Sequence, residues 1–452
     1  MTTTARLAEF VLKTTLADCP EPVLVQVRRA ALDTLGCMLA GASEPVARIV
    51  REVARAEGGA PLCTVVGTSM RTAPTWAALA NGAAGHAHDF DDTNFALLGH
   101  PSVPLFAAAL AAGESEMADG AMVALAYLIG FEVDAALGLA LNPAHYERGW
   151  HATTSIGTLG CAAAAARIHG LDAGQTRHAL GIAASLASGL KENFGSMTKP
   201  YHAGHAAQNG VLAARLARDG MTASESALDG RQGYAAAFSA VALPAGVFDR
   251  LGQRWEIVTS GIAVKPYPSC ALTHSAIDTL VELHATHRLA PEQIARVEVL
   301  VNRVVPDVLR HDRPTSALER KFSMPYCAAV ALARGGVDLG HFGDGAVDGD
   351  VRGLMERVTM RVDPTMSDAL EQHAWSRVTV TLTDGRVLAL PLSGPHGHPD
   401  NPLDTAALRD KFVACAAPVL SRDDASAIAD QIDHLEDIPD IRALTSRLVG
   451  DL

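Results

Sequence analysis

Val264-Lys265-Pro266-Tyr267-Pro268 marks the point where the texture of this chain changes. Upstream, from about 5 to 260, the periodic segments are nearly all helical, rich in alanine and punctuated by Gly or Pro. Residues 22–40 set the pattern, with Pro22 near the start, Leu24, Val27, Ala31 and Leu35 at helical spacing, and Gly41 to close. Only 62–66 reads as a strand. Downstream come one helix over about 273–287 and then 296–304, where Val297, Val299 and Val301 alternate as in a strand. Segments 375–382 and 386–392 flank Asp384-Gly385, a hairpin signal. Residues 404–449 return to helical spacing. The pattern predicts a mainly α protein. A large all-helical domain is expected from both chain ends, 1–264 and 401–452, with a smaller α+β lid domain, 265–400, inserted before the last helices.

With 452 residues, 48% of them hydrophobic, the chain is too long for one ordinary core and should form two or three structural units. Its formal charge of −13, with no basic stretch to offset it, argues against a nucleic acid or an anionic membrane as partner. An anionic substrate would need locally placed cations. Cys19, Cys37, Cys63, Cys161, Cys270, Cys327 and Cys415 are scattered and never in Cys-x-x-Cys spacing. Neither a disulfide framework nor a zinc ribbon is indicated, and a reducing cytoplasm fits best. The chain opens on no signal peptide. Its most apolar stretch, 120–131, is interrupted by Glu132 and Asp134 well short of a membrane span and reads as a buried helix.

Lys-Pro-Tyr occurs twice, at Lys265 and in Thr198-Lys199-Pro200-Tyr201-His202, in a chain with six lysines against 31 arginines. Lysine is a compact charge whose pKa moves readily on burial, and a following proline biases it out of α-helix into extended backbone. Both lysines are therefore expected at loop-to-helix junctions. The plain alternative is a pair of solvated turn lysines.

Chemistry concentrates in three places. The first is Gly85-His86-Ala87-His88-Asp89-Phe90-Asp91-Asp92-Thr93, followed by Gly99-His100-Pro101-Ser102. If the run is helical, His86, Asp89 and Thr93 share a face while Asp91 and Asp92 point elsewhere. Three neighbouring aspartates repel one another unless cations or donors face them. A His-x-His-Asp metal site is conceivable, although the remaining ligands show no metal-enzyme spacing; an acidic capping turn is the structural alternative. The second place is Gly149-Trp150-His151-Ala152-Thr153-Thr154-Ser155, ahead of an alanine-rich helix whose free N–H groups suit a carboxylate, with His145 and Tyr146 just upstream. A histidine there also packs or caps. The third is Gly195 to His205, where Ser196-x-x-Lys199 matches a serine-hydrolase signature. Its companion motifs are missing, and Pro200 would disturb the helix that signature needs. Gly-x-Gly-x-x-Gly and Walker loops are absent, so nucleotide cofactors are unsupported.

Taken together these motifs make the chain similar to the MmgE/PrpD family. The resemblance is carried by Gly85-His86-x-x-Asp89-Phe90-Asp91-Asp92-Thr93, by Gly99-His100-Pro101-Ser102, by Met197-Thr198-Lys199-Pro200-x-His202-x-Gly204-x-x-Ala207, and by Lys265-Pro266-Tyr267-Pro268-x-Cys270-x-x-Thr273-His274, in the expected order. The family contains 2-methylcitrate dehydratases, cis-aconitate decarboxylases and an iminodisuccinate epimerase, which act on small polycarboxylates without an obligatory metal or organic cofactor. The resemblance implies a homodimer, no cofactor, and a pocket containing Asp89, Thr93, His100, His151, Lys199 and Lys265, joined by Tyr326 from the smaller domain. In that pocket the lysines would stabilise charge on a carboxylate, His100 and His151 would move protons, and Asp89 and Thr93 would orient one of them or hold substrate. Tyr326 would donate to a carboxylate, and His202 and His274 would contribute to binding or support the motif loops. The implied activity is a lyase that dehydrates or decarboxylates a di- or tricarboxylate. An epimerase is the alternative, favoured only by His145-Tyr146 as a base on the opposite face, and a helical homologue without catalysis is the third reading. One departure bears on substrate. The dehydratases typically carry Trp-Gly-His-Pro-Ser-Asp where this chain has Leu98-Gly99-His100-Pro101-Ser102-Val103, which argues against methylcitrate itself. His396 and His398 have no family role.

Overall fold

Small residues at the contact faces let the long helices approach closely. Thr198–Arg218 packs along Pro74–Gly85, and a Cβ on Gly82 would come within 2.6 Å of Gly204 Cα, so two glycines set that approach. Around this pair lie Glu21–Gly41, Ser102–Glu116, Gly120–Leu141 and Gly157–Ile168. The computed structural model describes residues 2–244, 246–369 and 372–451. Its larger hydrophobic core joins Leu7, Leu35, Phe106, Leu128 and Ile257 to Leu408, Phe412, Ile428 and Leu448 from near the end of the chain. A second core runs from Ala276 to Leu382 and takes in Phe194 from the first half. The protein is mainly α.

The second core is built on a four-stranded sheet in the order Val358–Val362, Ile294–Val301, Ser376–Leu382, Val387–Ala389. The first pair is parallel and the others antiparallel. Val297, Val299 and Val301 are buried on alternate positions, covered by His274–His287 and Met324–Arg334. The hairpin turns at Gly385, whose φ of 88° favours glycine. The strand expected over 62–66 shrinks to Cys63–Thr64, paired with Arg71–Thr72.

The helix expected to be buried over 120–131 runs on to Leu141, through both acids. By length and composition alone it could cross a membrane, yet 89% of its most apolar window is buried within the fold. The acids are tolerated because each meets backbone donors. Glu132 accepts from the N–H groups of Glu256 (2.9 Å) and Ile257 (3.0 Å), which open the helix Glu256–Thr259, and Asp134 accepts from Gly160 N–H (3.1 Å). Burial pushes the Glu132 carboxyl up to about 8 against the pull of its two donors.

Candidate active site

After Pro74–Gly85 the chain turns instead of continuing as helix, and Asp89 adopts the left-handed region with φ 52°. Aspartate tolerates that region better than most residues, but something must hold it there. Three ammonium groups grip three successive carbonyls. Lys321 Nζ donates to His88 O (2.9 Å), Lys265 Nζ to Asp89 O (2.7 Å) and Lys411 Nζ to Phe90 O (2.7 Å). A fourth, Lys199, donates to Asp89 Oδ1, while Lys265 also reaches Oδ2 at 3.1 Å. Four of the six lysines thus converge on residues 88–90. They come from the helix Thr198–Arg218, the segment after Glu256–Thr259, the turn before Met324–Arg334 and the helix Thr405–Ala416.

Because the run 86–93 is a turn, the helical face expected for His86, Asp89 and Thr93 does not form. Asp91, expected to point elsewhere, instead accepts from His86 Nδ1 at 2.9 Å and lies 3.2 Å from His100 Nδ1. Asp92 does turn away, to the Ser102 N–H and hydroxyl. Donors offset the repulsion anticipated from their spacing at Asp89 and Asp91, whereas burial and the nearby Asp33 and Asp91 carboxylates push Asp92 well up despite its Ser102 donors. Burial alone would push Asp89 up, but Lys199, Lys265, His100 and His86 outweigh it and hold the carboxyl far below the usual carboxylate range. Asp91 is likewise held low, by His86 and His100 against burial.

Lys199 lies in the first helical turn, not in extended backbone. Pro200 is the third residue of that helix, where an N–H would have no partner within it, so the proline is accommodated. Ser196 is exposed and its hydroxyl donates to the Asn193 carbonyl at 2.8 Å, so it forms no nucleophile pair with the buried Lys199. The Lys199 ammonium instead meets His86 Nε2 at 2.8 Å. Since an ammonium only donates, Nε2 accepts, and the His86 proton sits on Nδ1 facing Asp91.

His100 and His151, with His373, line a cavity above this cluster. Burial takes His100 down to about 3, with Asp91 pulling it up and Lys265 and Lys199 pushing it further down. His151 is lowered by burial, Lys199 and His202, and its Nδ1 lies 3.1 Å from His202 Nδ1, so one of that pair carries the shared proton. The His100 and His151 imidazoles are therefore neutral at neutral pH. The cavity has about 100 Å³ of free volume. Asp89, Thr93, His100, His151 and Lys199 line one end, and Tyr146, Phe194, Leu272, Val308 and Phe322 line the other. Thr93 Oγ1 is buried without a protein partner. Its backbone pairs with Ala263, which brings Lys265 alongside.

Other residues anticipated at the site fall outside the cavity. Lys265 stands behind Asp89, next to His274, whose Nε2 lies 3.2 Å from the Ser269 carbonyl. Tyr326 is packed in the second core, and its hydroxyl donates to the His341 carbonyl, so it has no free donor for a substrate. His202 backs His151. His145 turns to Ser155 (2.7 Å) and stacks on Phe238, so of the pair proposed as an opposed base only Tyr146 reaches the cavity. His396 uses its backbone N–H on Asp278, and His398 packs 5.0 Å from the Phe95 ring. His373 lines the cavity and was not singled out in the sequence; nor were Lys321 and Lys411. The scarcity of lysine was a signal for the last two, because it applies to all six.

His86, Asp89, Asp91 and His100 present ligand atoms within 4.8 Å of one another, among the described residues the one group arranged as if for a metal. Both Asp89 oxygens are already held by ammonium groups, and both His86 nitrogens are engaged. A divalent cation here would stand in contact with Lys199, so the donor set fits ammonium rather than metal. Turnover should therefore persist after exhaustive dialysis against EDTA; restoration by zinc, iron or magnesium of activity lost to the chelator would show the opposite.

Lys321 is the ammonium that ties the second core to the acidic loop, donating also to Pro268 O at 3.0 Å. Burial pushes it down to about 7 against the pull of Asp89 and Glu44. Lys321→Met should leave two buried carbonyls unsatisfied and cost about 2–5 kcal/mol of stability. Chemical denaturation would measure it; a change below about 1 kcal/mol would mean that water replaces the ammonium.

A buried array of lysine, aspartate and neutral histidine opening on a cavity is suited to moving protons beside an anion. Residues 5–244 match the MmgE/PrpD N-terminal domain and residues 267–437 the MmgE/PrpD C-terminal domain. The chain belongs to the MmgE/PrpD family. It is 31% identical over 439 residues to the cis-aconitate decarboxylase of Homo sapiens, covering 95% of this chain and 90% of that protein. It is 28% identical over 478 residues to the cis-aconitate decarboxylase-like protein oryM of Aspergillus oryzae, covering 99% and 98%. With the cis-aconitate decarboxylase of Aspergillus terreus it shares 26% over 483 residues, 98% and 95% of the two chains. These likenesses support a lyase of this family.

Proposed function

We propose that the protein is a cofactor-independent lyase that decarboxylates, or by the same groups dehydrates, a small di- or tricarboxylate. The observation that carries this is the pair of neutral cavity imidazoles, His100 and His151, beside the Lys199 ammonium. The naming of relatives at 25–31% identity as cis-aconitate decarboxylases favours decarboxylation. When a carboxylate β,γ to a double bond leaves as CO₂, its electron pair shifts the alkene and places negative charge next to a second carboxylate. Lys199 stabilises that charge, most strongly where water is excluded. A histidine N–H then protonates the carbon, and the incoming anion raises the imidazole pKa toward the range where such transfer is efficient. An epimerase is the alternative: of His145 and Tyr146 only Tyr146 lines the cavity, but it does so together with His151, the pair to test first as opposed bases.

The two cores are read as two domains, 1–264 with 401–452 and the inserted 265–400, the second supplying Val308 and Phe322 over the cavity as a lid. The free cysteines fit a reducing cytoplasm. The helix Pro45–Glu57 leaves Ile49 and Val53 exposed, a face suited to a second copy, so sedimentation should return twice the 47.2 kDa chain mass. A monomer mass at micromolar concentration would remove the dimer.

The deciding experiment follows cis-aconitate, citrate and a single malate enantiomer in D₂O by NMR. Cis-aconitate should release CO₂ and take up one deuterium on the product carbon, and citrate should lose water, with deuterium entering carbon only through reversal of that step. Exchange or inversion with no loss of CO₂ or water would replace the lyase by an epimerase.

A further inference from the structure

The cavity has two chemically different ends, and the Lys199 ammonium stands at their border. On one side it meets Asp89 and His86. On the other it lies 5.2 Å from the centre of the Phe194 ring and 5.3 Å from that of Phe322, two rings themselves 5.6 Å apart. Leu272, Val304 and Val308 also line the cavity, and so do the Glu147 carboxylate and His373, neither of which supplies a fixed cation. Among the described residues Lys199 is the only lysine lining the cavity and no arginine lines it, and Lys199 is already paired with Asp89. Two arginines flank the segment that supplies the valines, and both are held in ion pairs, Arg303 with the cavity-lining Glu147. Arg303 reaches Glu147 at 3.2 Å and Asp368 at 3.1 Å, and Arg310 reaches Glu192 at 2.9 Å. A carboxylate placed among these apolar side chains would be desolvated without a partner, which is costly, whereas methylene groups there are favourable.

We propose that this apolar end takes a hydrocarbon arm, so that the preferred substrate has two carboxylates and an alkyl or alkenyl substituent where a tricarboxylate carries its third. The reacting end of this inference rests on the lyase reading; the apolar end does not. The simplest series is –OOC–CH₂–C(R)=CH–COO⁻, in which R = COO⁻ is aconitate itself. Uptake of one proton gives CH₂=C(R)–CH₂–COO⁻ and CO₂, the electron pair of the broken C–C bond forming the new alkene and the old alkene pair taking the proton.

The test has two arms. In the first, kcat/KM for CO₂ release is measured with R = COO⁻, methyl, ethyl and propyl. It should rise about 4-fold per methylene, and the propyl compound should exceed aconitate. In the second, equilibrium binding of inert saturated analogues is measured by calorimetry, comparing propane-1,2,3-tricarboxylate with 3-propylglutarate. The propyl compound should bind more tightly, and Val304→Arg, at a half-buried position, should reverse the order. If the tricarboxylate binds more tightly to the wild-type protein, the apolar-arm inference is overturned whatever the turnover. If 3-propylglutarate wins and no compound releases CO₂ or water, the inference stands and the lyase reading falls.

Discussion

Lys199→Met should lower kcat/KM by about 100- to 1,000-fold, the range expected when one charge-assisted donor to a developing anion is removed from a dry site. Lys199 and Lys265 both hold Asp89, but only Lys199 also lines the cavity. The two variants should therefore fail differently. In Lys199→Met the carboxylate keeps Lys265 on both Oδ2 and its own carbonyl, so stability should fall little while turnover collapses. Lys265→Met removes an ammonium whose side chain is 1% exposed and leaves a buried charge short of a partner, so about 3–5 kcal/mol of stability should go with it. Parallel measurement of kcat/KM and of denaturant midpoints separates the two roles. Activity of Lys199→Met within about 10-fold of wild type would take this lysine out of the site.

The contrast also shows what could be read from the chain. Helical spacing and the alternating valines at 297, 299 and 301 report local periodicity, and local periodicity survives folding. Residue type likewise placed Asp89, Thr93, His100, His151 and Lys199 in one pocket, through a resemblance carried by short motifs. Orientation was not legible. A single φ of 52° at Asp89 redirects everything after it, sending Asp91 toward His86 and His100, and that angle is set by lysines 110 to 322 residues further along the chain. No window centred on 86–93 contains those lysines. Tyr326 illustrates the same limit, because its hydroxyl is consumed by a carbonyl 15 residues away inside its own core. Glu132 and Asp134 looked like interruptions of an apolar run because the backbone N–H groups that satisfy them belong to residues 256, 257 and 160.

His100→Asn should abolish proton transfer while leaving the site assembled. The backbone of residue 100 is fixed independently of its ring, since its N–H donates to Thr153 Oγ1 at 2.9 Å and Pro101-Ser102 leads directly into the helix Ser102–Glu116. Asparagine keeps a polar group of similar reach beside Asp91 but cannot take or give a proton near neutral pH. A loss in kcat of about 100- to 10,000-fold is expected, with the dissociation constant of 3-propylglutarate or propane-1,2,3-tricarboxylate changed by less than about 3-fold. His151→Asn is the informative partner. His151 shares a hydrogen bond with His202, so His202→Asn should reproduce part of any defect seen in His151→Asn if that pair delivers the proton, and none of it if His100 does. Retention by His100→Asn of more than about one tenth of wild-type kcat, with the defect concentrated in His151→Asn and His202→Asn, would move the proton donor from the acidic-loop side of the cavity to the histidine pair opposite.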